Sequence, residues 1–318
     1  MPDSEIRPLR RSLLFVPGGE PRKLDKACQT GADALILDLE DAVAPEAKDR
    51  ARELIAAALK GGSFGRMEIV LRVNAPGTPW FAADVEAAVT AGARTIMLPK
   101  VEGVTVIESV SATLDRLEQR DGAGGNALVA PPLSLIALVE SPAGIVCASS
   151  LGDASPRLDA LCFGHVDFSR EMGIETADAA KGIAYHARCT LAIAARASGL
   201  TPIDTVFLDV RDEKGFREDA AMGVGLGFEG KLCIHPAQVK IVNELMTPTP
   251  EQVSRARRVL AAWETARAEG RGVFALDGRM IDAPVISQHS RILDRARRAG
   301  LLEDQGAAEE GRRKDDAR

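Results

Sequence analysis

Ala34-Leu35-Ile36-Leu37-Asp38-Leu39-Glu40-Asp41 is a run of four apolar residues that turns abruptly acidic. A run this short, apolar at every position rather than at alternate ones, reads as a strand covered on both faces, as in a parallel sheet. Residues 45–59 then take up a helical pattern with proline at its start. The unit repeats in both directions from here. Apolar runs lie at 12–16, 34–37, 69–73, 95–98, 135–139, 160–163, 205–208 and 231–234. Helical patterns lie at 21–31, 45–59, 82–92, 103–116, 143–151, 179–198, 214–222 and 236–245. Eight strand–helix units predict an α/β fold, a (β/α)8 TIM barrel, which takes roughly 250 residues. A doubly wound open sheet is the alternative, because alternation alone does not show that a sheet closes.

The chain is longer than that barrel, with 318 residues. The barrel is expected over residues 1–246. Thr247-Pro248-Thr249-Pro250 is a stiff break, after which 251–269 reads as a helix, 270–278 as a Gly-rich loop and 285–299 as a last helix. Residues 247–302 therefore form a C-terminal helical extension. The charged stretch 303–318 is expected to be a disordered tail.

Composition narrows the function. At 46% hydrophobic residues there is ample material for a core, so chain-wide disorder is excluded. No run approaches ~18 apolar residues, so no transmembrane helix is expected. Residues 1–11 are polar and show no secretory pattern. A net charge of −6 argues against general nucleic-acid binding, which needs a basic face. Cys28, Cys147, Cys162, Cys189 and Cys233 are odd in number and form no C-x-x-C pair. They read as buried free thiols of a cytoplasmic protein.

Barrel chemistry sits at the C-terminal ends of the strands. Almost every predicted strand here ends in ionisable residues: Asp38, Glu40 and Asp41; Arg72; Lys100; Glu140; His165 and Asp167; Asp209 and Arg211; His235. Glu140 and Asp167 come from neighbouring strands. They suit a hard divalent cation that keeps open positions for substrate and water. Arg72, inside an apolar strand, needs an anionic partner. That partner is a substrate carboxylate or oxyanion, or else Asp38 or Glu40 in a structural pair. Arg22 and Lys26 share a helix face and suit phosphates. Gly225-Leu226-Gly227-Phe228-Glu229-Gly230 fits G-x-G-x-x-G but leads into a strand, the wrong order for a dinucleotide site, and reads as a tight turn.

The chain resembles the citrate lyase beta-subunit-like proteins of the HpcH/HpaI aldolase superfamily, alongside malyl-CoA and citramalyl-CoA lyases. The matching stretches run in order from Leu14-Phe15-Val16-Pro17-Gly18 through Leu37-Asp38-Leu39-Glu40-Asp41-Ala42-Val43, Leu71-Arg72-Val73-Asn74 and Met97-Leu98-Pro99-Lys100. They continue with Leu138-Val139-Glu140-Ser141, Phe163-Gly164 with Asp167-Phe168, Ile234-His235-Pro236 and Met280-Ile281-Asp282-Ala283-Pro284. The resemblance implies an enzyme using Mg2+ or Mn2+, with Glu140 and Asp167 as metal ligands and Arg72 as the substrate-binding arginine. It implies that Asp282 is a catalytic acid/base carried by a C-terminal lid, delivered to an adjacent subunit of a trimer or hexamer. Phe15, Arg22 and Lys26 match positions that hold coenzyme A. Glu40, Asp41, Lys100, Ile234 and His235 match residues around substrate and metal waters. One departure stands out: the family's Gly-(Gly/Ala)-Glu-Asp is here Gly164-His165-Val166-Asp167.

The implied reaction is reversible cleavage of a 3-hydroxyacyl-CoA to acetyl-CoA and a 2-oxo acid. Its rivals are a citrate lyase beta subunit working on an acyl-carrier-protein thioester, and a malate-synthase-like condensation with thioester hydrolysis. On this reading Arg72→Ala and Asp282→Asn abolish turnover and leave the fold intact.

Overall fold

The computed structural model describes residues 8–62, 64–65, 67–122, 132–175 and 179–302. The charged stretch 303–318 lies outside the described residues. The described residues divide into two compact units, one spanning Arg10–Met246 and the other holding residues 247–302 with Pro8 and Leu9.

The first unit alternates strand and helix. In chain order it runs β1 (Ser12–Pro17), α1 (Pro21–Ala27), β2 (Ala34–Asp38), α2 (Lys48–Lys60), β3 (Glu68–Arg72), α3 (Phe81–Thr90), β4 (Thr95–Leu98) and α4 (Val104–Gly122). It continues with β5 (Ser134–Val139), α5 (Pro142–Cys147), β6 (Leu158–Phe163), α6 (His165–Glu171), α7 (Gly182–Ala197), β7 (Thr201–Asp204), α8 (Glu213–Gly225), β8 (Gly230–Cys233) and α9 (Pro236–Met246). All eight strands are parallel, and β1 pairs with β8 through Leu13 opposite Leu232, so the sheet is a closed barrel. Closure settles the choice against an open sheet.

Strand periodicity explains the two cores. Successive side chains point to opposite faces. Leu13, Ile36, Val70, Met97, Ile136, Cys162, Ile203 and Leu232, one from each strand, fill the barrel interior. The alternate positions, such as Leu35, Leu37, Leu71 and Phe163, join a second and larger cluster under the helices. At the N-terminal mouth, buried Arg10 donates to Glu68 at 2.7 and 2.8 Å and to Asp159 at 2.7 and 2.9 Å. These charge-assisted forks tie β3 to β6.

Several expectations need correction. The seventh strand is Thr201–Asp204, not 205–208. Pro202 has no N–H to give to the ladder. Its carbonyl still accepts from the Glu229 N–H at 3.0 Å, and Ala160, Leu161 and Cys162 set the register. Thr205 is thereby moved from a strand to the loop at the strand's end. A short helix, α6, begins directly at His165, in a stretch not read as helical from the sequence. None of the five cysteines forms a disulfide among the described residues, but only Cys162 and Cys233 are buried. The Gly225–Gly230 turn behaves as read: Gly227 takes φ 92°, and the next strand begins at Gly230.

The second unit has α10 (Pro250–Ala268), the hairpin strands β9 (Phe274–Leu276) and β10 (Arg279–Ile281), and α11 (Ala283–Arg298). Thr249 and Gln252 close a capping box at the start of α10. The two helices pack through Val253, Ala256, Leu293 and Ala296. The loop expected at 270–278 is largely this hairpin, turned by Asp277 and Gly278 with positive φ. Among the described residues no helix is long and apolar enough to cross a membrane.

Candidate active site

A cavity of about 390 Å3 opens at the C-terminal ends of the barrel strands. Phe15, Asp41, Arg72, Glu140, Asp167 and Ile234 line it, together with Asp38, Gly164, His165 and Thr205. Chain topology accounts for the convergence. Each residue ends a strand or stands within a few positions of one, so closing the barrel brings distant stretches together.

Arg72 ends β3 and is buried. Its Nε and Nη2 donate to the two oxygens of Asp38 at 2.7 and 2.6 Å. Asp38 is fixed in turn by the backbone N–H groups of Glu40 and Ala42. The remaining nitrogen, Nη1, stands 3.1 Å from Glu40 and 3.8 Å from Asp41. The guanidinium also lies over the Phe15 ring, 4.8 Å from its centroid. Burial opposes the charge on Arg72, but the Asp38 hydrogen bonds and the nearby carboxylates outweigh it and raise its pKa. The structural pair with Asp38 is thus real, and Arg72 still faces the cavity.

Glu40 is buried, and neither of its oxygens has a hydrogen-bond partner. Only the charges of Arg72 and of Lys100, 3.5 Å away, balance it. Burial pushes its carboxyl up to about 7 despite them. Its backbone is held from behind by Lys48, whose Nζ donates to the carbonyls of Leu39 and Glu40 at 2.9 and 2.8 Å.

Glu140 follows β5 and is buried. Burial, then the charges of Glu40 and Asp167, push its carboxyl up to about 8. One oxygen accepts the backbone N–H of Lys100 at 2.9 Å. Lys100 reaches that position in the left-handed region, φ 53°, a strained conformation for a side-chain-bearing residue. Asp167 lies in the first turn of α6 and pairs with Arg170 at 2.5 Å. Among the described residues no group of three His, Cys, Asp or Glu side chains is arranged to hold a metal. Glu140 and Asp167 supply two carboxylates at this mouth, a pair that suits a cation keeping its waters.

His165 is buried with its Nδ1 2.6 Å from Thr205 Oγ1. Burial, then the charge of Lys231, lowers its pKa to about 4, so the ring is neutral near pH 7. Behind it lies a buried charge cluster. Arg188 donates to Asp204 at 2.7 and 2.6 Å and to Asp219 at 2.8 Å. Lys231 meets Asp204 at 3.1 Å and Asp219 at 2.6 Å, and donates to the Thr205 carbonyl at 2.9 Å. Two positive and two negative groups balance, which makes full burial tolerable.

Sequence reasoning did not find Thr205, Lys48 or this cluster. An ionisable residue amid a short apolar run, as in Lys231-Leu232-Cys233, was the available signal. Of the expected residues, Arg22 and Lys26 are exposed on α1, and His235 is exposed after β8. None of these three lines the cavity. Asp282 belongs to the second unit, where it caps α11 by accepting from the Val285 N–H at 3.3 Å.

Ionisable groups gathered at the C-terminal mouth of a closed eight-stranded barrel define an enzyme of the barrel class. The family model HpcH/HpaI aldolase/citrate lyase matches residues 11–236, and the chain belongs to that family of lyases. It is 37% identical over 295 residues to citrate lyase subunit beta of Escherichia coli K12, covering 93% of this chain and 96% of that one. It is 35% identical over 314 residues to the L-malyl-CoA/beta-methylmalyl-CoA lyase of Cereibacter sphaeroides, covering 93% and 96%. Among solved structures it is similar to protein CitE of Mycobacterium tuberculosis in complex with magnesium, acetoacetate and coenzyme A. The TM-score is 0.71 at 34% identity, over 92% of this chain and 98% of that one.

Proposed function

We propose that the protein catalyses reversible, Mg2+-dependent carbon–carbon cleavage of a 3-hydroxyacyl-CoA whose hydroxyl carbon carries a carboxylate. Malyl-CoA or citramalyl-CoA would give acetyl-CoA with glyoxylate or pyruvate. The observation that carries this reading is the carboxylate pair Glu140 and Asp167 sharing one cavity with an arginine already clamped by Asp38. The relatives support it: one is a malyl-CoA lyase, and one solved neighbour holds magnesium, coenzyme A and a short oxo acid.

Glu140 and Asp167 would hold the cation. They fit it, because two carboxylates leave positions for substrate, and the burial and neighbouring negative charge that raise Glu140 are what a dication offsets. Mn2+ takes the same oxygen donors. When bound, the ion supplies Lewis acidity to the carbonyl oxygen of the 2-oxo acid.

The protein's own groups do the rest. Arg72 offers Nη1 to the oxygen that becomes negative as the acetyl-thioester enolate forms. Glu40, Asp41, Lys100 and Ile234 surround the oxo acid and its waters. Phe15, Arg22 and Lys26 hold coenzyme A. In cleavage, the substrate hydroxyl gives up its proton to solvent as the carbon–carbon bond breaks, and Asp282, entering the step protonated, delivers its proton to the acetyl carbon. Asp282 would arrive on the C-terminal helices of a neighbouring subunit in a trimer or hexamer.

A screen of malyl-, citramalyl- and longer hydroxyacyl-CoA thioesters, with glyoxylate and pyruvate as acceptors, tests this. Acetyl-CoA appearing with a 2-oxo acid, and ceasing with EDTA, is the expected result. Free CoA appearing with a free hydroxy acid would instead mean condensation with thioester hydrolysis. A second reading, a citrate lyase beta subunit working on an acyl-carrier-protein thioester, is favoured by the 37% identity to that subunit. Cleavage of the carrier-protein thioester but of no CoA thioester would select it.

A further inference from the structure

We propose that His165 is a specificity residue, donating from Nε2–H to an oxygen of the 2-oxo acid, and that Thr205 is the positioning residue that sets the ring for it. The inference rests on reading the cavity as the site of a 2-oxo acid.

Thr205 Oγ1 accepts the backbone N–H of His165 at 3.2 Å and lies 2.6 Å from Nδ1 of the same residue. Oγ1 already takes one donor in the His165 N–H, and we assign its own proton to Nδ1. Nδ1 is then the acceptor nitrogen, and the imidazole proton sits on Nε2. Thr205 itself does not drift, because its carbonyl is held by buried Lys231, which Asp204 and Asp219 anchor.

Nε2 is the unclaimed edge of this ring. The buried side-chain atoms without a partner, among the described residues, are the two Glu40 oxygens and Ser169 Oγ. Nε2 is not one of them, yet no protein group bonds it, and His165 lines the cavity. It therefore faces the cavity's free space. The other polar side chains there are mainly carboxylates, Asp38, Asp41, Glu140 and Asp167, with Arg72 as the cation. A 2-oxo acid presents only acceptor oxygens. Among acceptor-only carboxylates, an N–H at Nε2 supplies a second donor beside Arg72, which the oxygens of an oxo acid require.

Calorimetric titration of glyoxylate, pyruvate and oxalate into the Mg2+-loaded full-length protein tests this without turnover. His165→Ala should weaken 2-oxo-acid binding by roughly tenfold, the value of one lost hydrogen bond, and change acetyl-CoA binding less than about twofold. Thr205→Val should weaken it severalfold, and Thr205→Ser should restore it. Nitrogen NMR of the imidazole should show protonated Nε2 in the wild type and mixed tautomers in Thr205→Val. A protonated Nδ1 in the wild type overturns the proposal. So does unchanged oxo-acid affinity in folded His165→Ala, or a wild type that binds no oxo acid. If the variants lose oxo-acid affinity as expected while the wild type cleaves no CoA thioester, this inference stands and the lyase reading falls.

Discussion

Gly164 stands so close to Glu140 that a Cβ placed on it would come within 2.6 Å of the Glu140 Cβ and 2.8 Å of its Oε2. The glycine is therefore a condition for the carboxylate's position. Gly164→Ala forces Glu140 to move, and the neighbour that must yield is near the backbone, not the end of a flexible chain. The expected cost is about 1–3 kcal/mol of stability. Mg2+ affinity should fall by at least about tenfold, since ligand orientation is lost. Thermal melts and Mg2+ titration check both, and unaltered Mg2+ affinity would contradict the assignment of Glu140.

The pH dependence of the metal-free protein follows from the raised carboxyl of Glu140. Its folded pKa is about 8, against 4.5 for the free side chain. The folded state then keeps a proton that the unfolded state releases. The stability tied to that proton is complete below 4.5 and is lost as pH rises through 8, at no more than about 1.4 kcal/mol per pH unit. Glu40, at about 7, adds to the same trend. EDTA-treated protein should melt lower at pH 8.5 than at pH 6, and added Mg2+ should stabilise it more at the higher pH. Glu140→Gln should flatten both dependences.

Arg72→Ala is a poor test of chemistry, contrary to the expectation that it spares the fold. It would leave Asp38 buried and unpaired, a loss of about 3–5 kcal/mol. Arg72→Lys keeps a cation but not the two-pronged geometry. It should fold and lose turnover by roughly a hundredfold, with melting and steady-state rates measured on the same preparation.

Asp282 has a visible job as the cap of α11 and a proposed one as acid/base. The two separate by substitution. Asn caps as well as Asp, so Asp282→Asn should keep its melting point and lose cleavage. Asp282→Ala should lose cleavage and a further ~1 kcal/mol of stability. Full activity in Asp282→Asn would remove it from the chemistry.

The barrel was legible because buried parallel strands need apolar runs, and the acidic ends of those runs marked the mouth. What escaped notice depended on contacts between distant residues. Thr201-Pro202-Ile203-Asp204 looks unlike a strand until β6 supplies its register, and only then does Thr205 become a loop residue reaching His165. Arg72 announced a need for an anion, but not that Asp38 meets it through two nitrogens. Arg22, Lys26 and His235 carry family resemblance without lining the cavity, since exposed side chains leave no packing signature in the pattern.

The clamp on Arg72 has a thermodynamic consequence. A free arginine side chain loses up to about 2 kcal/mol of rotamer entropy when a ligand fixes it. Here Asp38 and Phe15 have fixed it before any ligand arrives. That ordering belongs to folding, so a bound anion meets a rigid donor and gives up only its own freedom. Association with Arg72 should therefore carry a smaller entropic penalty than at an unclamped arginine.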